Sequence, residues 1–320
     1  MYFITKGAHD PELTIKYQNL NKNQSNIKIM RNRKGIILAG GKGSRLSPLT
    51  NAISKQLLPI YNKPMIYYPL STLMLSGIKE YLIITNPNDK NNFRNLLGDG
   101  NQWGISITYE VQEHPEGISQ AFLIGEEFIN KSPVALILGD NLFYGQNLSL
   151  ILSNANLNDT GATLFAYPVK DPKRFGVINF DKEQNPISIE EKPNNPKSKY
   201  AITGLYFYDK NVVKYSKLLK PSKRGELEIT DLNNIYIKNK NVKVEVFGRG
   251  MAWLDTGTFD SLNEAGALIK TLEHNQGLRI GYPEEVAWRM GWISTHELKK
   301  LAEPLLNNEY GQYLLELIES

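Results

Sequence analysis

Short apolar runs rich in β-branched residues recur along the chain, each closed by glycine, asparagine, aspartate or proline. Residues 35–39 read GIILA, 81–85 YLIIT and 134–138 VALIL. None of them alternates with polar positions, which is the pattern of strands buried on both faces of a sheet. Between them lie stretches of helical spacing, 88–97 (NDKNNFRNLL) and 118–129 (ISQAFLIGEEFI), and one further strand, 105–111 (ISITYEV). This rhythm predicts an α/β fold, a doubly wound, mostly parallel Rossmann-like sheet. The second half is richer in strands: 161–169, 175–180, 187–193 and 201–209, with Val242, Val244 and Val246 alternating in another. A helix is expected over 227–239 and a strand-to-helix passage over 251–262. From Pro283 onward, Trp288, Trp292, Leu301 and Leu305 read as the packing residues of a small helical appendix.

The expected organisation is one main domain over 30–275 and an appendix over 276–320. Residues 1–29 are polar and asparagine-rich without a period, so a disordered extension is expected there. Met30, directly before RNRKGIILAGG, is an alternative start.

Composition narrows the function. The 320 residues include no cysteine, which excludes disulfides and thiolate zinc sites and agrees with a cytoplasmic enzyme. No apolar stretch approaches the roughly 18 residues of a membrane span, and the N-terminus lacks a signal peptide's apolar core. Net charge is +4, and residues 1–29 supply part of it through Lys6, Lys16, Lys22 and Lys28 against Asp10 and Glu12. The remainder is too evenly balanced for a nucleic-acid-binding stripe.

Chemistry enters at GIILAGGKGSRLSPLT, residues 35–50. Gly40, Gly41 and Gly43 let backbone N–H groups approach a ligand closely. The dinucleotide fingerprint fails because Leu46 stands where glycine is needed. The P-loop pattern fails at Ile36 and Gly43. Arg45 instead offers a planar donor for polyphosphate oxygens. Asp140 closes VALIL-G and Asp255 closes MAWLD. Alone, each suits a turn or helix cap; together, beside a phosphate loop, they suit Mg²⁺, which keeps waters and substrate phosphates. Lys55 and Lys192 are candidate phosphate cations, Glu191 a partner for sugar hydroxyls, and Gln112 a reader of a base edge. Each of these also suits an ordinary surface. The four histidines show no metal-ligand spacing, and no Ser-His-Asp arrangement is suggested. The set fits phosphoryl or nucleotidyl transfer.

With these residues in view, the stretch LAGGKGSRLSPLT…SKQLLPIYNKPMIYYPLSTLMLSGI resembles the sugar-phosphate nucleotidyltransferases. LLGDGNQWG, QAFLIGEEFI, LGDNLFYG, FGVINF, ISIEEKP, YAITGLYFYD, RGELEITD and GRGMAWLDTGT follow in the family's order, from about Met30 to the C-terminus. The similarity is strongest to the branch that activates glucose 1-phosphate with dTTP, the first step towards dTDP-rhamnose. The resemblance implies Mg²⁺ held by Asp140 and Asp255. It assigns Arg45, Lys55 and Lys192 as catalytic cations, and Leu38, Gly40, Gly41, Gly43, Gln112 and Gly117 to the nucleotide. Asn141, Gly176, Glu191 and Ile202 fall to the sugar. It further implies a homotetramer with feedback by dTDP-rhamnose, for which Gly145, Arg249 and Gly250 are the matching positions. Lys42, Phe175 and Gln146 depart from the family pattern. Competing readings are another base or sugar (UTP, CTP or a different sugar 1-phosphate) and a non-catalytic regulatory homologue. The latter is expected to lack part of the charged set, which is complete here. A glycosyltransferase would carry D-x-D where this chain has Asp140-Asn141-Leu142.

Overall fold

A computed structural model of the chain describes residues 33–319, so the expected extension over 1–29 lies outside the described residues. The strands in chain order are β1 (Lys34–Ala39), β2 (Pro59–Ile60), β3 (Lys63–Pro64), β4 (Glu80–Thr85), β5 (Ser106–Val111) and β6 (Val134–Leu138). They continue with β7 (Asn141–Gly145), β8 (Ala162–Pro168), β9 (Gly176–Phe180), β10 (Pro186–Glu191), β11 (Tyr200–Tyr208), β12 (Val242–Val246) and β13 (Met251–Asp255). Nine of them form one sheet, running β10-β9-β11-β6-β1-β4-β5, with β8 on the other edge of β11 and β12 beyond it.

The expected parallel core is β5-β4-β1-β6. Consecutive side chains point to opposite sides, so β4, β1 and β6 bury both faces, while β5 at the edge buries one and exposes Ser106, Thr108 and Glu110. Ile37, Ile83 and Ile137 pack with Leu73 of the helix Tyr67–Met74 and Leu152 of the helix Leu148–Leu157. Ile36, Leu82 and Leu136 pack on the other face with Phe122, Ile129 and Leu232. Each such side chain contributes ~1.5–3 kcal/mol by leaving water. The helix expected over 118–129 breaks into Gln120–Ile124 and Glu126–Ile129. At the break is Gly125, where a Cβ would stand 3.0 Å from Leu82 Cδ2, so glycine allows the close approach to the sheet.

The sheet turns antiparallel at β11, which opposes β6, β8 and β9. One edge of β11 carries β8 at both its ends. The other carries β9 at Ala201 and β6 from Leu205 to Tyr208. Between them, around Gly204, the sheet splits open, and β6 leaves through Gly139-Asp140 into β7. Strand β7 was not expected: its partner is β13, far along the chain, so no local pattern marks it. The helices Pro283–Arg289, Thr295–Ala302 and Glu309–Glu319 join the same apolar cluster as Ile37 through Val286, Leu298 and Leu314. Among the described residues no helix is long and apolar enough to cross a membrane.

Candidate active site

The glycine loop leaves β1 and turns at Gly43, whose φ of +61° favours glycine. A Cβ there would also stand 2.9 Å from Thr50 Cγ2. The loop enters one 3₁₀ turn, Ser44–Leu46, and stops short of an α-helix, because Pro48 disfavours helical backbone at Ser47 and lacks an N–H. Leu46 is buried and anchors the turn, which leaves Arg45 exposed beside the strand β13 exit: a Cβ on Gly257 would lie 3.0 Å from an Arg45 guanidinium nitrogen.

Lys55 opens a later 3₁₀ turn, Lys55–Leu57, buried, with its ammonium on the Asp140 carboxylate. Strands β7 and β13 pair Asn141 with Asp255, which sets Asp140, in the turn just ahead of β7, beside the end of β13 where Asp255 sits. Thr256 clamps them: its N–H and its Oγ1 both donate to the Asp140 carbonyl, at 3.2 and 2.8 Å. Asn141 braces the same corner. Its Oδ1 accepts from Gly204 N–H at 3.1 Å and from Trp253 Nε1 at 2.6 Å, and its Nδ2 donates to Asp140 Oδ1 at 2.9 Å.

Burial raises the Asp255 pKa, and the negative charge of Asp140 raises it further, against the pull of Lys55, Arg45 and Arg174. Burial also pushes Asp140 up, but the Lys55 ammonium and the bonds from Lys55 and Asn141 more than offset it, so Asp140 lies below the ordinary aspartate range. The corner therefore holds two mutually repelling carboxylates, one of them poorly stabilised. Among the described residues no third histidine or carboxylate completes a metal cluster. Two carboxylates and no nitrogen or sulfur donor fit a hard cation such as Mg²⁺, which fills its shell with waters and phosphates, better than Zn²⁺.

Two cavities meet at this corner. The smaller, ≈ 300 Å³, is lined by Leu38, Gly41, Gly43, Lys55, Gln112 and Gly117. The larger, ≈ 720 Å³, is lined by Asn141, Gly176, Glu191, Lys192 and Ile202. Arg45 and Asp140 line both. Gly40 lies behind the wall, where a Cβ would stand 2.5 Å from Gln112 Oε1. Gln112 is fixed by its Nε2 donating to Gln120 Oε1 at 2.6 Å. Glu191 accepts from Thr230 Oγ1 at 2.6 Å, and Lys192 adopts a φ of +43°, unusual for a lysine, which turns the chain sharply at the end of β10. Gly145, Arg249 and Gly250 line neither cavity. Gly145 pairs with Met251, so this group sits at the far end of β7–β13 from the aspartates.

Sequence reasoning missed several residues of the larger cavity: Arg174, Arg224, Tyr206, Glu228 and Trp253. Arg224 donates to Glu228 at 2.9 Å and to Glu226 at 3.0 Å, and lies 3.7 Å from Glu191. Its signal was the RGELE run, which puts an arginine two and four residues before carboxylates.

A family model described as nucleotidyl transferase matches residues 34–271. Glucose-1-phosphate thymidylyltransferase of Neisseria meningitidis is 56% identical over 286 residues, covering 89% of this chain and 99% of its own. That of Mycobacterium tuberculosis is 52% identical over the same span. Among solved structures, a Bacillus anthracis protein described as a glucose-1-phosphate thymidylyltransferase, crystallised with sucrose, matches at a TM-score of 0.69 and 41% identity, covering 78% of this chain and 98% of that one. A UDP-glucose pyrophosphorylase complexed with UDP-glucose matches at a TM-score of 0.66 and 25% identity, over 75% and 99%.

Proposed function

The chain belongs to the nucleotidyl transferase family, and from that premise we propose that it transfers a thymidylyl group from dTTP to glucose 1-phosphate. A phosphate oxygen of the sugar attacks the α-phosphorus. The new O–P bond forms as the bond to the β-phosphate oxygen breaks, and pyrophosphate leaves with the electron pair. The observation that carries this reading is the Lys55–Asp140–Asp255 corner at the meeting point of two cavities, one for each phosphate-bearing substrate.

The triphosphate lies along Gly41 and Gly43, whose backbone N–H groups reach its oxygens, with Arg45 holding the departing pyrophosphate. Lys55 stands within reach of the α-phosphate. The base enters against Gln112 and Gly117. In the larger cavity Lys192, supported by Arg174 and Arg224, draws in the sugar phosphate, and Glu191, Gly176 and Ile202 bound the sugar. Asn141 acts through Asp140 and Gly204, since its amide oxygen is taken up by two donors. Asp140 and Asp255 would hold Mg²⁺, which supplies charge neutralisation on the phosphates when bound. Fixed charges in a preorganised pocket carry most of such catalysis. A homotetramer, feedback through Gly145, Arg249 and Gly250, and a place before dTDP-rhamnose belong to the same proposal.

The test is pyrophosphate release from purified protein with Mg²⁺ and glucose 1-phosphate, comparing dTTP, UTP and CTP. Fastest release with dTTP supports the reading. UTP is the second candidate, given the likeness to a UDP-glucose pyrophosphorylase. UTP lacks the base methyl, worth only ~1–3 kcal/mol in an apolar pocket, and adds a ribose 2′-hydroxyl, so slower but measurable turnover of UTP is expected. No release with any nucleotide would refute the assignment.

A further inference from the structure

Behind the wall of the smaller cavity, three side chains form hydrogen bonds whose direction is fixed. Gln112 is buried at the wall, while Gln120 and Glu116 stand behind it and line neither cavity. Gln120 opens the helix Gln120–Ile124, and the burial of Ala121 and Phe122 anchors its backbone. A carboxylate only accepts hydrogen bonds, whereas an amide accepts on its oxygen and donates from its nitrogen. Glu116 Oε2 accordingly takes the amide nitrogen of Gln120, at 2.8 Å. That commits Gln120 Oε1 to accept. It receives Glu116 N–H at 3.3 Å and Gln112 Nε2 at 2.6 Å.

The nitrogen of Gln112 is therefore spent on Gln120 and, through a longer bond of 3.4 Å, on the Gly117 carbonyl. Its oxygen has no donor among the described residues and is not sealed from solvent, so it is the arm that Gln112 offers to the cavity. Which base can meet that arm is a matter of polarity. Thymine and uracil carry a hydrogen on N3 and donate from it, whereas cytosine N3 accepts. The 4-amino group of cytosine donates, but from one position further round the ring, so cytosine must shift within the pocket to use it.

We infer that Gln120, with Glu116 behind it, sets which arm of Gln112 faces the base, and so makes the pocket select a base with an N3–H over cytosine. Both act only through Gln112, as positioning residues. The inference rests on the base pocket proposed above and deepens it. Thymine and uracil satisfy the oxygen of Gln112 equally, so this selection is separate from any contact that senses the thymine methyl.

The test is turnover by the full chain with Mg²⁺ and glucose 1-phosphate, reading kcat/KM for dTTP, dUTP and dCTP, which share one sugar. Wild type is expected to favour dTTP and dUTP over dCTP by ~10-fold or more, since an acceptor facing an acceptor leaves both unpaired. Gln120→Lys sets a donor-only group opposite Gln112 and turns its nitrogen to the cavity. The dTTP:dCTP ratio should then fall by ~10-fold, while dTTP:dUTP stays within about twofold of wild type. Glu116→Lys lies on the surface, where folding is safe, and reverses Gln120 first; it should move the same ratio in the same direction. The exchange of Glu116→Gln with Gln120→Glu still sets an acceptor opposite Gln112 and should keep the wild-type ratios. A pocket that had merely loosened would lose its methyl preference as well. An unchanged dTTP:dCTP ratio in the lysine variants, an equal loss of both ratios, or no preference over dCTP in wild type would overturn the relay while leaving the substrates in place. No turnover of any nucleotide by wild type would overturn the proposed function, and the relay with it.

Discussion

Replacing Thr256 with valine tests whether the aspartate corner is held by its backbone. Thr256 is fully buried and gives two hydrogen bonds to one acceptor, the Asp140 carbonyl, through N–H at 3.2 Å and Oγ1 at 2.8 Å. Valine keeps the shape and the N–H bond and removes the shorter one. The carbonyl is not orphaned, so the cost to folding is ~0.5–1.5 kcal/mol, which for a chain of this size lowers the melting temperature by roughly 1–3 °C. The effect on cation binding should be larger. Asp140 and Asp255 repel each other, and the clamp opposes their drifting apart. Loss of a residue that orients metal ligands costs ~10–100-fold in metal affinity. The assay is Mn²⁺ binding followed by electron paramagnetic resonance, with Mg²⁺ as competitor, beside a thermal melt in chelator. Thr256→Ser keeps the hydroxyl and should bind like wild type. If Thr256→Val binds Mn²⁺ within twofold of wild type while melting a few degrees lower, the clamp is structural only and the reasoning fails.

Other outcomes follow from the same geometry. Asp140→Asn should cut turnover by ~100-fold or more with an unchanged circular dichroism spectrum, since charge stabilisation is lost at the reacting phosphates; near-wild-type turnover would end the metal assignment. Gly40→Ala drives a methyl to 2.5 Å from Gln112 Oε1, so KM for dTTP should rise well beyond any change in KM for glucose 1-phosphate. An equal effect on both would place Gln112 outside the base pocket. Lys63 is buried beside Glu273, and burial pushes its pKa down to about 8 from 10.5 despite that partner. Between these values the unfolded chain binds the extra proton, so Lys63 opposes folding below pH 8 and the opposition fades as pH rises. Denaturant titrations should show wild type gaining on Lys63→Met by up to ~3 kcal/mol across that window. A flat or falling difference would refute it.

The parallel core was legible because its strands are continuous apolar runs, and VALIL marks β6 to the residue. The positions of the glycine loop and of both aspartates were legible for a related reason: they stand where such runs stop, and turn residues announce the stop. Arg224 and Arg174 were not legible. Each lies in a polar loop with several charges, and only the folded path of residues 170–176 and 222–228 decides which of them faces a cavity. Asn141 lines the larger cavity, but the partners that fix its amide oxygen are Gly204, from a strand 63 residues later, and Trp253, 112 residues later. No local spacing encodes such a partner. The split at Gly204 escaped notice for the same reason, because AITGLYFYD reads as one uninterrupted strand and the change of neighbour happens on its edge.

The pairing of β7 with β13 also bears on how the protein is born. Asp140 and its clamp Thr256 are 116 residues apart in sequence. A ribosome that has delivered the glycine loop, the parallel core and the first aspartate has not yet made the second. The nascent chain can bury much of its apolar surface and still have only half of its aspartate corner. The aspartate corner can therefore close only after residues 251–256 have been made. Chains released early would keep the pocket walls without the pair of charges between them.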